Sequence, residues 1–124
     1  MLRLKTLKER IKSLVFAWRG LLYLISKEDS FKYQLLFAFV FVIAGFYFDI
    51  STSEWFAQLG ITALVLSVEG LNSAIEKLAD YIQPNYDKDI GKIKDIAAGA
   101  VLVSGLFALV VGLIIYIPYF LALI

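Results

Sequence analysis

Apolar residues recur at helical spacing through the first part of the chain, at Leu4, Leu7, Ile11, Leu14, Val15, Trp18, Leu21, Leu22 and Ile25. Arg3, Lys5, Lys8, Arg10, Lys12 and Arg19 take positions between them. One apolar and one basic side predict an amphipathic helix lying in a membrane surface, its charges toward anionic headgroups; packing of the apolar side on partner helices is the alternative. Ser26-Lys27-Glu28-Asp29-Ser30 breaks the pattern, and Ser30 is placed to cap a following helix. From Phe31 to Phe48 the only charge is Lys32, at the entry, where a long side chain reaches back to water. About 18 residues at 1.5 Å rise come close to spanning a hydrocarbon core of roughly 30 Å.

Asp49 to Glu54 is a short polar connection, and Trp55 follows as an interface anchor. A second span runs from there to about Ala74, and its helix continues through Glu76 and Asp80 to Ile82, stopping before Pro84. Gln83 to Asp95 reads as a loop carrying Lys88, Lys92 and Lys94 beside Asp87, Asp89 and Asp95. The third span, about Ile96 to Ile117, has Ala100, Ser104, Ala108 and Gly112 at four-residue intervals, a ridge of small residues that allows close helix packing in lipid. The expected fold is all-α and integral to the membrane, one domain over 1–124: a surface helix at 1–28, then spans at 30–48, 54–82 with a cytoplasmic extension, and 92–120.

Composition agrees, since 60% hydrophobic residues exceed what a soluble domain of 124 residues carries. The net charge of +1 conceals an uneven spread, with most Lys and Arg lying before the first span. Bases set orientation and acids count little, so the amino-terminal helix and the Gln83 to Asp95 loop are expected on the cytoplasmic side, with the carboxyl terminus outside. No short apolar core with a small-residue cleavage site follows the early bases, so no cleaved signal peptide is expected. Cysteine and histidine are absent, which excludes disulfides, thiolate nucleophiles, thiolate metal sites and imidazole bases. There is no GxxxxGK[ST] and no GxGxxG.

What remains is a polar stripe. On a helix turning about 100° per residue, Glu69, Asn72, Glu76 and Asp80 lie within about 80° of one another. Exposure at a helix end accounts for Asp80 and Glu76. It fails for Glu69, roughly 10 Å deeper, where a carboxylate costs on the order of 2.5–3.5 kcal/mol unless protonated, paired or hydrated. A polar lock between helices and a catalytic site both answer that cost. Lys94 and Asp95 should enter the third span as Asp80 leaves the second, with Glu28 at the same depth, giving a layer of Glu28, Glu76, Asp80, Lys94 and Asp95 above Glu69. Carboxylates suit Mg²⁺, a lysine neutralises a phosphoryl group, and Glu69 is placed to face a lipid hydroxyl. Gly91 could let a loop backbone approach a phosphate. A non-catalytic oligomeric scaffold or channel with acids along a polar seam is the alternative of another class.

Glu69-Gly70-Leu71-Asn72-Ser73-Ala74-Ile75-Glu76 with Asp80, followed by Lys94-Asp95-Ile96-Ala97-Ala98-Gly99-Ala100-Val101, resembles the small prokaryotic diacylglycerol kinases and their undecaprenol kinase relatives. Trp18-Arg19-Gly20-Leu21 and Glu28 with Phe31-Lys32 support the resemblance, which covers nearly the whole chain. It implies a homotrimer in the bacterial inner membrane, with active sites shared between subunits and no nucleic-acid partner. The implied reaction is Mg²⁺-dependent transfer of the γ-phosphate of ATP to the hydroxyl of diacylglycerol at the cytoplasmic face, with undecaprenol as the alternative acceptor. Carried over residue by residue, Glu69 resembles the catalytic base and Glu28 and Glu76 the metal-binding acids. Asn72, Asp80, Lys94 and Asp95, with Gly91, resemble the nucleotide and phosphate site. The chain departs from the better-known diacylglycerol kinases at Glu9, Phe16, Lys32 and Gln34, while the segments from Ala97 and from Val111 look more like the undecaprenol kinase branch.

Overall fold

A computed structural model describes residues 6–124; Arg3, Leu4 and Lys5, expected in the first helix, lie outside the described residues. The described chain forms four helices and no strand: α1 (Leu7–Lys27), α2 (Asp29–Phe48), α3 (Thr52–Ile82) and α4 (Lys88–Leu121). The last three are long and apolar enough to cross a membrane.

Each boundary has a local cause. Thr6 opens α1 with a reciprocal cap, its hydroxyl accepting from the Glu9 amide while the Glu9 carboxylate accepts from the Thr6 amide. Glu28 is the single extended residue (φ −102°, ψ 107°) between α1 and α2. Ser30, expected as the cap of the first span, instead sits in the first turn of α2, because that helix starts at Asp29. Glu28 makes no side-chain cap hydrogen bond, which leaves its carboxylate for other partners. At the far end of α2, Asp49 adopts the left-handed conformation (φ 51°) and turns the chain back. Ser51 then caps α3 with Glu54 in the same reciprocal way as Thr6 with Glu9.

The region between α3 and α4 differs from expectation. Only residues 83–87 are non-helical, because Asp87 accepts a hydrogen bond from the Ile90 amide at 3.0 Å and starts α4 at Lys88. Gly91, expected on a loop able to embrace a phosphate, is therefore within the first turns of a helix. Charged residues are tolerated there because a capped first turn satisfies its backbone whatever the side chains do.

α3 runs antiparallel to both α2 and α4, and its packing on α4 is the most extensive in the fold. The side of α4 turned inward carries Ala97, Val101, Ser104, Ala108, Val111 and Ile115, spaced alternately by four and three residues. The expected ridge at strict four-residue spacing is only partly inward: Ser104 is buried, but Ala100 is exposed. At the end remote from α1, Ile50, Ile115 and Tyr116 form a small core with Trp55 and Phe48 packed on it. Gly45 makes room there, since a Cβ in its place would come within 2.6 Å of the Trp55 ring. Large apolar side chains elsewhere, such as Phe37, Leu102 and Ile114, point outward, as a lipid solvent requires.

Candidate active site

The polar stripe of α3 lies at the end of the bundle where α1 joins. Glu69 is 5% exposed and Asn72 7%, whereas Glu76 and Asp80 are exposed, so the gradient of depth along the stripe is as expected. Two side-chain amides meet these acids. Gln34 of α2 donates through Nε2 to Glu69 Oε2 at 3.2 Å, and Asn72 donates through Nδ2 to Glu76 Oε1 at 3.2 Å. Among the described residues, Glu69 Oε1 has no hydrogen-bond donor. Gln34 Oε1 and Asn72 Oδ1 are buried with no partner either. Burying a carbonyl oxygen unpaired costs about 1–3 kcal/mol, so two on one site mark a surface that requires further donors or a cation.

Charged partners flank this centre on both sides. The Lys77 ammonium is 3.1 Å from Glu28 Oε1 and 4.9 Å from the centre of the Tyr23 ring, so α3 grips the corner between α1 and α2. On the other side Lys94 of α4 pairs with Asp80. Glu28 and Glu76 are both close enough to act electrostatically on Glu69. The expected layer thus divides into pairs: Glu69 with Gln34, Glu76 with Asn72, Glu28 with Lys77 and Asp80 with Lys94. Asp95 is exposed and makes no ion pair among the described residues, and Gly91 is in α4, away from any glycine-rich loop. Among the described residues no three acids converge as a ready-made metal cage. The donors nevertheless suit a hard divalent cation in kind, because the Glu28 and Glu76 carboxylates and the unpartnered Asn72 Oδ1 are all oxygen ligands.

A groove of about 810 Å³ opens beside the stripe, between α1 and the α2–α3 pair. Its wall is apolar, with Leu24, Phe31, Leu35, Leu66 and Gly70 among the lining residues, and Lys77 is the one charged side chain in it. Gly70 allows this contact, since a Cβ there would stand 3.1 Å from the Leu24 side chain.

Sequence reasoning treated Gln34 only as a departure from a family pattern and overlooked Lys77 and Tyr23. Gln34 had a usable signal, a polar amide three residues past Phe31 in an apolar span. Lys77 had none, because a lysine near an emerging helix end is ordinary.

Three membrane-length helices and a buried carboxylate among unsatisfied polar groups describe a multi-pass membrane protein with a polar centre near one end of its bundle. Comparison with known sequences specifies which. The family profile described as prokaryotic diacylglycerol kinase matches residues 15–116. Undecaprenol kinase from Bacillus subtilis (strain 168) is 34% identical over 107 residues, covering 86% of this chain and 87% of that protein. Diacylglycerol kinase from Escherichia coli (strain K12) is 28% identical over 110 residues, covering 89% and 90%. The chain belongs to the prokaryotic diacylglycerol kinase family and is a lipid kinase.

Proposed function

We propose that the protein transfers the γ-phosphate of ATP to the primary hydroxyl of a membrane lipid alcohol at the cytoplasmic face of the bacterial inner membrane. The observation that carries this reading is the state of Glu69: buried, with one carboxylate oxygen held by Gln34 and the other free of donors. A lipid hydroxyl donating to the free oxygen would lose its proton to Glu69 as its own oxygen bonds to the γ-phosphorus and the bond to ADP breaks. The apolar groove lined by Leu66, Gly70 and Lys77 of the same helix suits the lipid chain, and its volume is that of a small-ligand site.

Glu28 and Glu76, with the unpartnered Asn72 Oδ1, are the residues that would hold Mg²⁺. The ion supplies neutralisation of charge on the transferring phosphate when bound. Asn72, Asp80, Lys94 and Asp95 would form the nucleotide site, Gly91 contributing only backbone near it. Lys94 is already directed across the face by Asp80. α1 would lie in the membrane surface with its bases toward headgroups, the amino terminus cytoplasmic and the carboxyl terminus outside. A homotrimer with shared sites is consistent with two features: Asp95 makes no ion pair among the described residues, and large apolar side chains are exposed along all three spans.

Diacylglycerol and undecaprenol are the two candidate acceptors. The higher identity to an undecaprenol kinase favours undecaprenol as the preferred one. Purified protein in lipid, given Mg-ATP with each alcohol in parallel, is expected to form ADP and the phosphorylated lipid, faster with undecaprenol. Absence of turnover with both alcohols and with short analogues would overturn the kinase chemistry; faster turnover of diacylglycerol would reverse the choice of acceptor alone.

A further inference from the structure

Lys77 is not among the residues that the proposed chemistry uses, yet it makes the one side-chain contact of an acid that chemistry depends on. Glu28 stands alone in extended conformation between two helices, and its carboxylate caps neither. Among the described residues its side chain pairs with Lys77 at 3.1 Å and with nothing else. Glu28 is the more buried partner, its side chain 21% exposed against 52% for Lys77. The ammonium is seated from the other side by the Tyr23 ring at 4.9 Å, which limits where it can go. A single positive charge therefore stands against one oxygen of one of the two carboxylates proposed to hold a divalent cation.

We propose that Lys77 is a positioning residue that holds Glu28 when no divalent cation is bound and weakens binding of the cation at that carboxylate. This rests on the reading of Glu28 as a cation ligand. The Lys77 ammonium 3.1 Å from Glu28 Oε1 repels a divalent ion approaching the same carboxylate, so binding of the ion and retention of the close Lys77–Glu28 contact oppose each other. The consequence is competition. Lys77 keeps the Glu28 side chain aimed at α3 when the site is empty and sets the concentration of metal at which it loads. Once displaced, the ammonium stays at the mouth of the groove, on the Tyr23 ring.

The probe is Mn²⁺, followed by paramagnetic resonance on the purified full-length protein in lipid, with and without the β,γ-methylene analogue of ATP. Replacing the ammonium by a neutral group of similar length, Lys77→Met, is expected to tighten Mn²⁺ binding three- to tenfold, and Lys77→Arg to leave it within about twofold of the parent. The Mg²⁺ concentration for half-maximal turnover should fall by the same factor in Lys77→Met, a shift that loss of mere packing would not cause. Lys77→Gln is measured alongside, so that the result stands if one variant does not fold. Unchanged or weaker Mn²⁺ binding in the neutral variants overturns the competitor role. If Glu28→Gln leaves Mn²⁺ binding untouched, the reading of Glu28 as a ligand falls instead; if Glu28→Gln loses Mn²⁺ while the Lys77 variants match the parent, only the role of Lys77 falls.

Discussion

Two polar clusters lie within the three spans, and they differ in how completely they are paired. At the end remote from α1, Gln58 donates to the Phe41 carbonyl at 3.0 Å, and the Tyr116 hydroxyl is shared between that carbonyl and Gln58 Oε1. Both ends of the buried amide are satisfied, and one group from each span takes part. Tyr119 bonded to Glu54 extends the cluster toward the helix ends. At the α1 end, Glu69 and Asn72 are as buried and Gln34 is half-buried, but among the described residues two carbonyl oxygens are left unpaired. A closed network fixes helices against one another and has nothing left to offer a ligand. An open one costs stability and keeps its acceptors for a substrate or ion. The contrast separates lock from site more sharply than burial or charge does.

The largest expected effect tests the open cluster. Glu69→Gln should reduce lipid phosphorylation by about 10²–10⁴-fold while the helical circular dichroism stays the same, since a general base is lost and an amide of equal shape remains. Comparable turnover would move the base elsewhere. Next, Gln34→Leu should lower turnover by about tenfold, because one neutral hydrogen bond that aims Glu69 is removed. Thermal unfolding should show little loss, since the same change also removes the unpaired Gln34 Oε1 from the interior.

The closed cluster should respond in the opposite way. Tyr116→Phe should destabilise the protein by about 1–3 kcal/mol in denaturant unfolding by stranding Gln58, with turnover of the folded fraction retained. Adding Gln58→Leu should cost less than the sum of the two single changes, because both partners of one bond then leave together. Gly45→Ala, beside this cluster, should cost about 1–3 kcal/mol by forcing the Trp55 ring away. The smallest effect belongs to the exposed Asp80–Lys94 pair, where Lys94→Met should shift the unfolding midpoint by no more than a few degrees while raising KM for ATP. A large stability loss there would make the pair a lock rather than part of a site.

Helix number and type were legible because apolar runs of membrane length leave no other solution, the backbone having to satisfy itself in lipid. The depth of Glu69 was legible too, from its distance to Glu76 along one helix. Helix periodicity holds within an element and says nothing of which neighbour faces it, so Gln34 opposite Glu69 and Lys77 opposite Glu28 were not. The same gap hid the outer cluster, in which Gln58 and Tyr116 are 58 positions apart in sequence. The early start of α4 escaped because Asp87 was counted among loop charges, when its side chain was the cap.

The corner at Glu28 has a mechanical consequence. α1 is 21 residues long, about 31 Å, and joins α2 through one non-helical residue. A tilt of roughly 10° about that hinge would carry Thr6 through about 5 Å and Glu28 through almost nothing. Glu28 sits at the fulcrum of a long lever, so a change in the tilt of α1 would leave its carboxylate almost where it is.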